Sequence, residues 1–67
     1  MIKVKIHNSK QLTWVRSKWP ESRFSGTARI PVGFTGQVYI QDCDDVEAAQ
    51  IALTLGTTVR RVESFSD

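Results

Sequence analysis

A lone cysteine in a chain of 67 residues sets the tightest limit on what this sequence can fold into. So short a chain makes one domain at most, residues 1–67, with a thin hydrophobic core. Cys43 has no second cysteine for a disulfide, and with His7 as the one histidine a structural zinc site lacks ligands. The fold must therefore depend on packing between regular elements. The absence of disulfides favours a reducing, cytoplasmic compartment.

The first residues predict a strand, because apolar and basic or polar side chains alternate over residues 2–7. Residues 12–15 are rich in β-forming side chains and favour a second strand that folds back along the first. Apolar residues of the same segment also fit helical spacing, with Asn8 or Ser9 as the cap. Strand is the preferred interpretation for residues 11–17, and helix is the alternative that stays open.

A second hairpin is predicted in the middle of the chain. Residues 23–32 alternate between apolar and polar side chains, with Gly26 as a candidate bulge. Residues 33–36 contain two glycines and predict a turn, and residues 37–41 predict the returning strand.

The most distinct element is a helix over about residues 44–55. Asp44 and Glu47 have the spacing of a capping box, and the neighbouring acids suit the positive end of the helix dipole. Gly56 marks the C-terminal stop. One side of this helix is apolar and is expected to face the core: Val46, Ala49 and Leu53 line it, with Ala48, Ala52 and Leu55 beside them.

Residues 57–65 are rich in β-forming side chains and predict the last strand. The expected fold class is thus α+β, with a mostly antiparallel sheet of four to five strands. One α-helix packs on one face of that sheet, which is the economical packing for so short a chain.

The side chains needed for catalysis are missing from this composition. Cys43 has only His7 as a base, and nothing in the sequence brings the two together. The acids around Asp44 lack the spacing of a calcium loop, and residues 33–36 lack the lysine of a phosphate loop. We expect no catalytic residue, no metal site and no cofactor. At the start of the helix, Cys43 is either a small core residue or a thiol with a lowered pKa.

Charge divides the chain into a basic and an acidic half. Residues 1–30 carry seven basic residues against one acid, a net +6, and residues 31–67 carry a net −4. Such asymmetry favours an acidic partner, although the two halves can also neutralise each other once folded. Trp19 is the aromatic expected to be exposed. The candidate partner-binding residues are Arg16, Lys18, Trp19, Arg23, Phe24, Arg29, Arg60 and Arg61, and the candidate phosphate contacts are Lys3, Lys5 and Lys10.

The second half of the chain resembles a family of small phage proteins. Residues 38–49 run from a strand into an acid-capped, alanine-rich helix, and residues 58–63 contain a strand of the form Val-x-Arg-Val. This pattern is similar to the inhibitor of host RNA polymerase made by short-tailed coliphages. The resemblance implies a three-stranded antiparallel sheet with one helix, and binding through arginines of the final strand. Arg61 holds one of those arginine positions and Glu63 holds the next.

Three hypotheses for function follow. The first is a non-enzymatic inhibitor or modulator that docks on the acidic surface of a larger bacterial protein or nucleoprotein complex. Host RNA polymerase and a defence system such as CRISPR are the candidates, and the host cytoplasm is the location. The second is a small nucleic-acid-binding module that uses the basic half. The third is a structural subunit that forms a homodimer through an edge strand. No apolar run is long enough to span a membrane, so a membrane partner is not expected.

Overall fold

Two helices and a four-stranded sheet make up the protein. The computed structural model describes residues 1–29 and 33–65, without the side chains of residues 27–29 and 33–35. The α+β class and the antiparallel sheet are confirmed. In chain order the elements are β1 (Ile2–Ile6), α1 (Ser9–Lys18), β2 (Arg23–Arg29), β3 (Gly33–Ile40), α2 (Asp45–Leu55) and β4 (Val59–Arg61).

The strands lie in the order β2-β3-β1-β4, and every neighbouring pair is antiparallel. Strands β1 and β2 are therefore parallel to each other and separated by β3. This β-α-β-β-α-β order is the split β-α-β, or ferredoxin-like, arrangement. It places β1, whose alternation is the most regular in the sequence, in the interior of the sheet.

The core lies between the helices and one face of the sheet. Ile2, Val4 and Ile6 of β1 are buried on that face and cluster with Val15 of α1 and Ile51 of α2. Each such side chain contributes roughly 1.5–3 kcal/mol by leaving water. With no disulfide among its elements, the fold rests on this cluster and on the sheet's hydrogen bonds.

The strand preferred for residues 11–17 is wrong, because this segment is the middle of α1, and the sheet therefore carries two helices rather than one. The Asn8 side chain caps the helix by accepting a hydrogen bond from the Gln11 amide at 2.9 Å. Gln11 Nε2 in turn donates to the Leu55 carbonyl at 3.0 Å, which ties α1 to the end of α2. A cap worth about 1 kcal/mol and burial of Val15 outweigh the β-preference of the neighbouring side chains.

The bounds expected for α2 are confirmed, including both of its ends. Asp44 and Glu47 form the capping box, and Gly56 adopts the left-handed conformation at φ 61°. The side expected to face the core does so only in part: Ala48 and Leu55 pack against the core, whereas Val46 is 66% exposed and Leu53 is 84% exposed. Ile51 is the fully buried residue of this helix instead.

The central hairpin is confirmed as a pairing of β2 with β3, but its predicted turn is wrong. Residues 33–36 belong to β3, and the register runs without a bulge through Gly26 opposite Gly36. Residues 30–32, predicted to end the strand, lie outside the described residues. Gly36 is required because the Phe24 ring lies where a side chain would begin: a Cβ there would be 2.7 Å from Phe24 Cε1.

No helix in the described ranges is long and apolar enough to cross a membrane.

Candidate functional site

The sheet face that turns away from the helices carries the basic residues of the strands, and we call it the open face. Successive side chains of a strand point to opposite sides, so burial of Ile2 and Val4 places Lys3 and Lys5 on the open face. The same alternation places Arg23 of β2 and Arg60 of β4 there. Among the described side chains of the four strands, every charged one on this face is a cation.

The register aligns these side chains in a row across all four strands. Lys3 is directly opposite Arg60 on one side and Tyr39 on the other, and Tyr39 is directly opposite Arg23. Side chains opposite each other in antiparallel strands are roughly 4.5–5.5 Å apart at Cβ. The cationic side chains of Lys3 and Arg60 therefore lie side by side on the open face.

A cavity of about 450 Å³ lies beside this row. Lys5 extends the basic set along β1, and its amide donates to the Thr58 carbonyl at 3.0 Å, which continues the β4 side of the sheet. The volume falls within the range of small-molecule pockets. The cavity is lined by Lys3, Lys5, Gly26, Gly36, Gln37, Thr58 and Arg60.

The other end of the open face is covered by the segment that follows β4. The Val62 amide donates to the Met1 carbonyl at 2.9 Å, and the chain then brings Phe65 over the sheet. The Phe65 ring lies 4.6 Å from the Tyr39 ring between centroids, and the Arg23 guanidinium carbon lies 4.5 Å from the centre of the Phe65 ring. This contact leaves Tyr39 only 5% exposed. Glu63 is the acid that this segment carries.

The predicted partner-binding residues are not brought together on one surface. Arg23 and Arg60 lie on the open face, and Arg29 ends β2 with its side chain outside those described. Phe24 is half-buried and packs against the core on the helix side. Arg61 also points to the helix side, where its guanidinium pairs with Asp45 at the start of α2.

Three further candidates lie on the helix layer, at the end of α1. Arg16 and Lys18 are exposed in its last turn, and Lys18 Nζ is 5.2 Å from the centre of the Trp14 ring. The exposure expected of Trp19 is wrong: it is half-buried, packs against the core and lies 6.3 Å from Trp14 between ring centroids. The chain turns directly after Trp19, where the Ser22 amide donates to the Trp19 carbonyl at 3.0 Å, and the indole lies against the core rather than in water. Lys10 is exposed in the first turn of α1.

A second cavity, of about 680 Å³, lies between the two helices, and we call it the helix groove. Trp14 and Trp19 form its α1 side, and Ile51 and the exposed Leu53 form part of its α2 side. Polar side chains also line the groove, namely Lys18, Glu47, Gln50 and Thr54. Two half-buried indoles with polar residues around them are a composition found in protein interfaces.

Cys43 is a core residue and not an activated thiol. It is buried within the hydrophobic cluster. Burial raises the pKa of its thiol, and the nearby Glu47 and Asp44 carboxylates raise it further. The lowered pKa considered for a thiol at a helix start is therefore wrong. In the described part of the chain, no group of three or more His, Cys, Asp and Glu residues is placed to hold a metal ion.

Sequence reasoning missed the aromatic pair of Tyr39 and Phe65. The sequence did contain a signal for the position of Tyr39. It alternates with the apolar Val38 and Ile40, which predicts that Tyr39 points to the opposite face of the sheet, together with Gln37. Phe65 was expected within the last strand, predicted over residues 57–65, and that extent is wrong: β4 covers only Val59–Arg61, and Phe65 lies in the irregular segment that follows it.

Comparison with protein-family models, curated proteins and solved structures finds no match to this chain.

Proposed function

We propose that this chain is a non-enzymatic binding protein that holds single-stranded nucleic acid on the open face of its sheet. The observation that carries the proposal is the register. It sets Arg60, Lys3 and Arg23 in one row across the four strands, with Lys5 beside them. Cations in a row that is flanked by aromatics suit a phosphate backbone with stacked bases.

The width of the sheet favours a single strand over a duplex. Three inter-strand spacings of about 4.8 Å make the row roughly 14 Å wide before side chains are counted. The major groove of B-DNA is about 12 Å wide and admits a helix or a two-stranded ribbon. A four-stranded face is too broad to enter it, whereas an extended single strand can lie across it. By analogy alone, four-stranded sheets bind single-stranded RNA in this way in other proteins.

The test compares two double variants that lose the same charge from different faces. Lys5→Gln with Arg60→Gln removes two exposed cations of the open face. Lys10→Gln with Arg16→Gln removes two exposed cations of α1 and serves as the matched control. Anisotropy titration of a labelled single-stranded oligonucleotide at low salt should show a loss of at least about ten-fold for the first variant. The control should lose much less.

Two results would defeat the proposal. One is the absence of any oligonucleotide binding by the wild-type chain at low salt. The other is an equal loss in both double variants, since that would reduce the effect to net charge. A duplex of the same sequence should bind more weakly than the single strand.

A second candidate is docking on a larger protein through the helix groove, as expected of a small phage-type inhibitor of a host complex such as RNA polymerase. The exposure of Leu53 at 84%, beside the half-buried Trp14 and Trp19, favours it. The basic last turn of α1, with Arg16 and Lys18, suits a partner segment that is apolar with acidic flanks.

The two candidates separate with one further variant. Leu53→Asp places a charge in the helix groove and leaves the open face intact. A purified bacterial RNA polymerase, or another partner first identified by pull-down, should bind wild type and the Lys5→Gln/Arg60→Gln variant but not Leu53→Asp. Retention by Leu53→Asp would remove the groove as the docking site.

A further inference from the structure

We propose that Tyr39 and Arg23 form a base-stacking site on the open face, and that Phe65 of the same chain occupies this site until the ligand displaces it. The inference rests on the proposed function, since it requires a single strand on that face. It adds a specific stacking position and an internal competitor for it.

The first observation is the burial of Tyr39. The side chain lies on a face that neither helix covers, yet it is only 5% exposed. Phe65 supplies the cover, with ring centroids 4.6 Å apart. The Phe65 ring is tilted by 47° to the Tyr39 ring and occupies the space in which a base would stack on Tyr39.

The second observation is the chemistry beneath that ring. Tyr39 and Arg23 are directly opposite each other on neighbouring strands, and Phe65 contacts both. Aromatic rings and arginine guanidinium planes are the two groups on which nucleic-acid-binding proteins stack bases. The row continues to Lys3 and Arg60, so a base at this position would leave its phosphates near those cations.

The third observation is how Phe65 is held. It follows β4 in an irregular segment, it is 36% exposed, and the backbone hydrogen bond from Val62 to Met1 lies three residues before it. An aromatic pair favours its closed state by about 2- to 12-fold. Stacking of a base on an aromatic side chain favours binding by about 5- to 150-fold. A base can therefore replace the ring, at a cost to affinity set by the contacts that Phe65 makes with both Tyr39 and Arg23.

The experiment is an oligonucleotide titration of Phe65→Ala beside the wild type. Removal of the ring should tighten binding by about 3- to 10-fold, because the ligand no longer has to displace it. Val46→Ala, which truncates an exposed apolar residue on the opposite layer and outside the helix groove, is the matched control and should leave affinity unchanged. Tyr39→Ala in the Phe65→Ala background should abolish the gain. Thermal melts of each variant verify that it is folded.

Unchanged or weaker binding by Phe65→Ala would overturn the inference, since Phe65 would then be a neutral cover or part of the binding surface. The proposed function survives that result if the Lys5→Gln/Arg60→Gln variant still loses affinity. If neither the wild type nor Phe65→Ala binds at low salt, the proposed function and this inference both fail. In the wild type, oligonucleotide addition should also shift the NMR signals of the Phe65 ring, and unshifted signals at saturation would contradict displacement.

Discussion

Replacement of Gly36 by alanine tests the packing between β2, β3 and the helix layer. A Cβ at this position would lie 2.7 Å from Phe24 Cε1, 2.8 Å from Phe24 Cζ and 2.9 Å from the carbonyl oxygen of Ser25. Ordinary contacts between such atoms are longer by more than half an ångström. Phe24 could shift its ring, but the Ser25 oxygen belongs to the paired strand and cannot move without distorting the ladder.

Two effects of opposite sign decide the result. Alanine restricts the unfolded chain and should stabilise the fold by about 0.4–1 kcal/mol. Overpacking of a well-packed site costs about 1–3 kcal/mol. With three contacts below 3.0 Å, one of them to backbone, the second effect is the larger. We expect Gly36→Ala to lose about 1–2 kcal/mol of unfolding free energy.

Urea unfolding followed by fluorescence of Trp14 and Trp19 measures this loss. Phe24→Leu removes the ring atoms nearest to the new Cβ, so Gly36→Ala should cost less in that background than in the wild type. Gly56→Ala is the control: its cost of about 1–2 kcal/mol comes from φ 61° and not from crowding, so Phe24→Leu should not reduce it. A neutral or stabilising Gly36→Ala would refute the reasoning.

Three further predictions concern the helix layer. Asp44→Ala removes the N-cap of α2 and should cost about 1 kcal/mol in urea unfolding, and a loss below 0.3 kcal/mol would contradict the capping role. Ile51→Ala should cost about 2–5 kcal/mol, whereas Leu53→Ser should change stability by less than about 0.5 kcal/mol, and the reverse order would mean that α2 is rotated. The Cys43 thiol has a pKa raised above its ordinary 9.0, so the stability it supports is present below that pH and falls as the pH rises through the raised value. Alkylation of native Cys43 should therefore be slower than that of the urea-unfolded chain at pH 8, and equal rates would exclude its burial.

The sequence predicted elements well where one local signal dominated. The capping box of Asp44 and Glu47 and the stop at Gly56 defined α2 to within a residue. The pairing of β2 with β3 followed from two alternating runs in succession. In α1 the signals conflicted: β-forming side chains filled the segment, and the helix was decided by the Asn8 cap and by the contact of Gln11 with Leu55, which is distant in sequence.

The orientation of α2 could not be read from spacing. One set of apolar residues, Val46, Ala49 and Leu53, and a second set, Ala48, Ile51 and Leu55, both recur at helical intervals. Contact with the sheet selects the second set.

The candidate site depended on strand order, which the sequence did not contain. Lys3 and Arg60 are far apart in the chain and become neighbours only because β4 pairs with β1. The basic residues between Arg16 and Arg23 were expected on one surface, and the turn between α1 and β2 divides them between the two layers. Phe65 reaches Tyr39 through an irregular segment, for which no periodicity exists to predict a path.

The central claim is that phosphates lie on the open face, and the salt dependence of oligonucleotide binding tests it most directly. Each phosphate contact of a single strand contributes a slope of about −0.7 in a plot of log affinity against log salt concentration, so Lys3, Lys5 and Arg60 together predict a slope of about −2.1. The Lys5→Gln/Arg60→Gln variant should make the slope shallower, at about −0.7, and the Lys10→Gln/Arg16→Gln variant should leave it near the wild-type value. A slope that does not change in the first variant, or that falls equally in both, would contradict binding on this face.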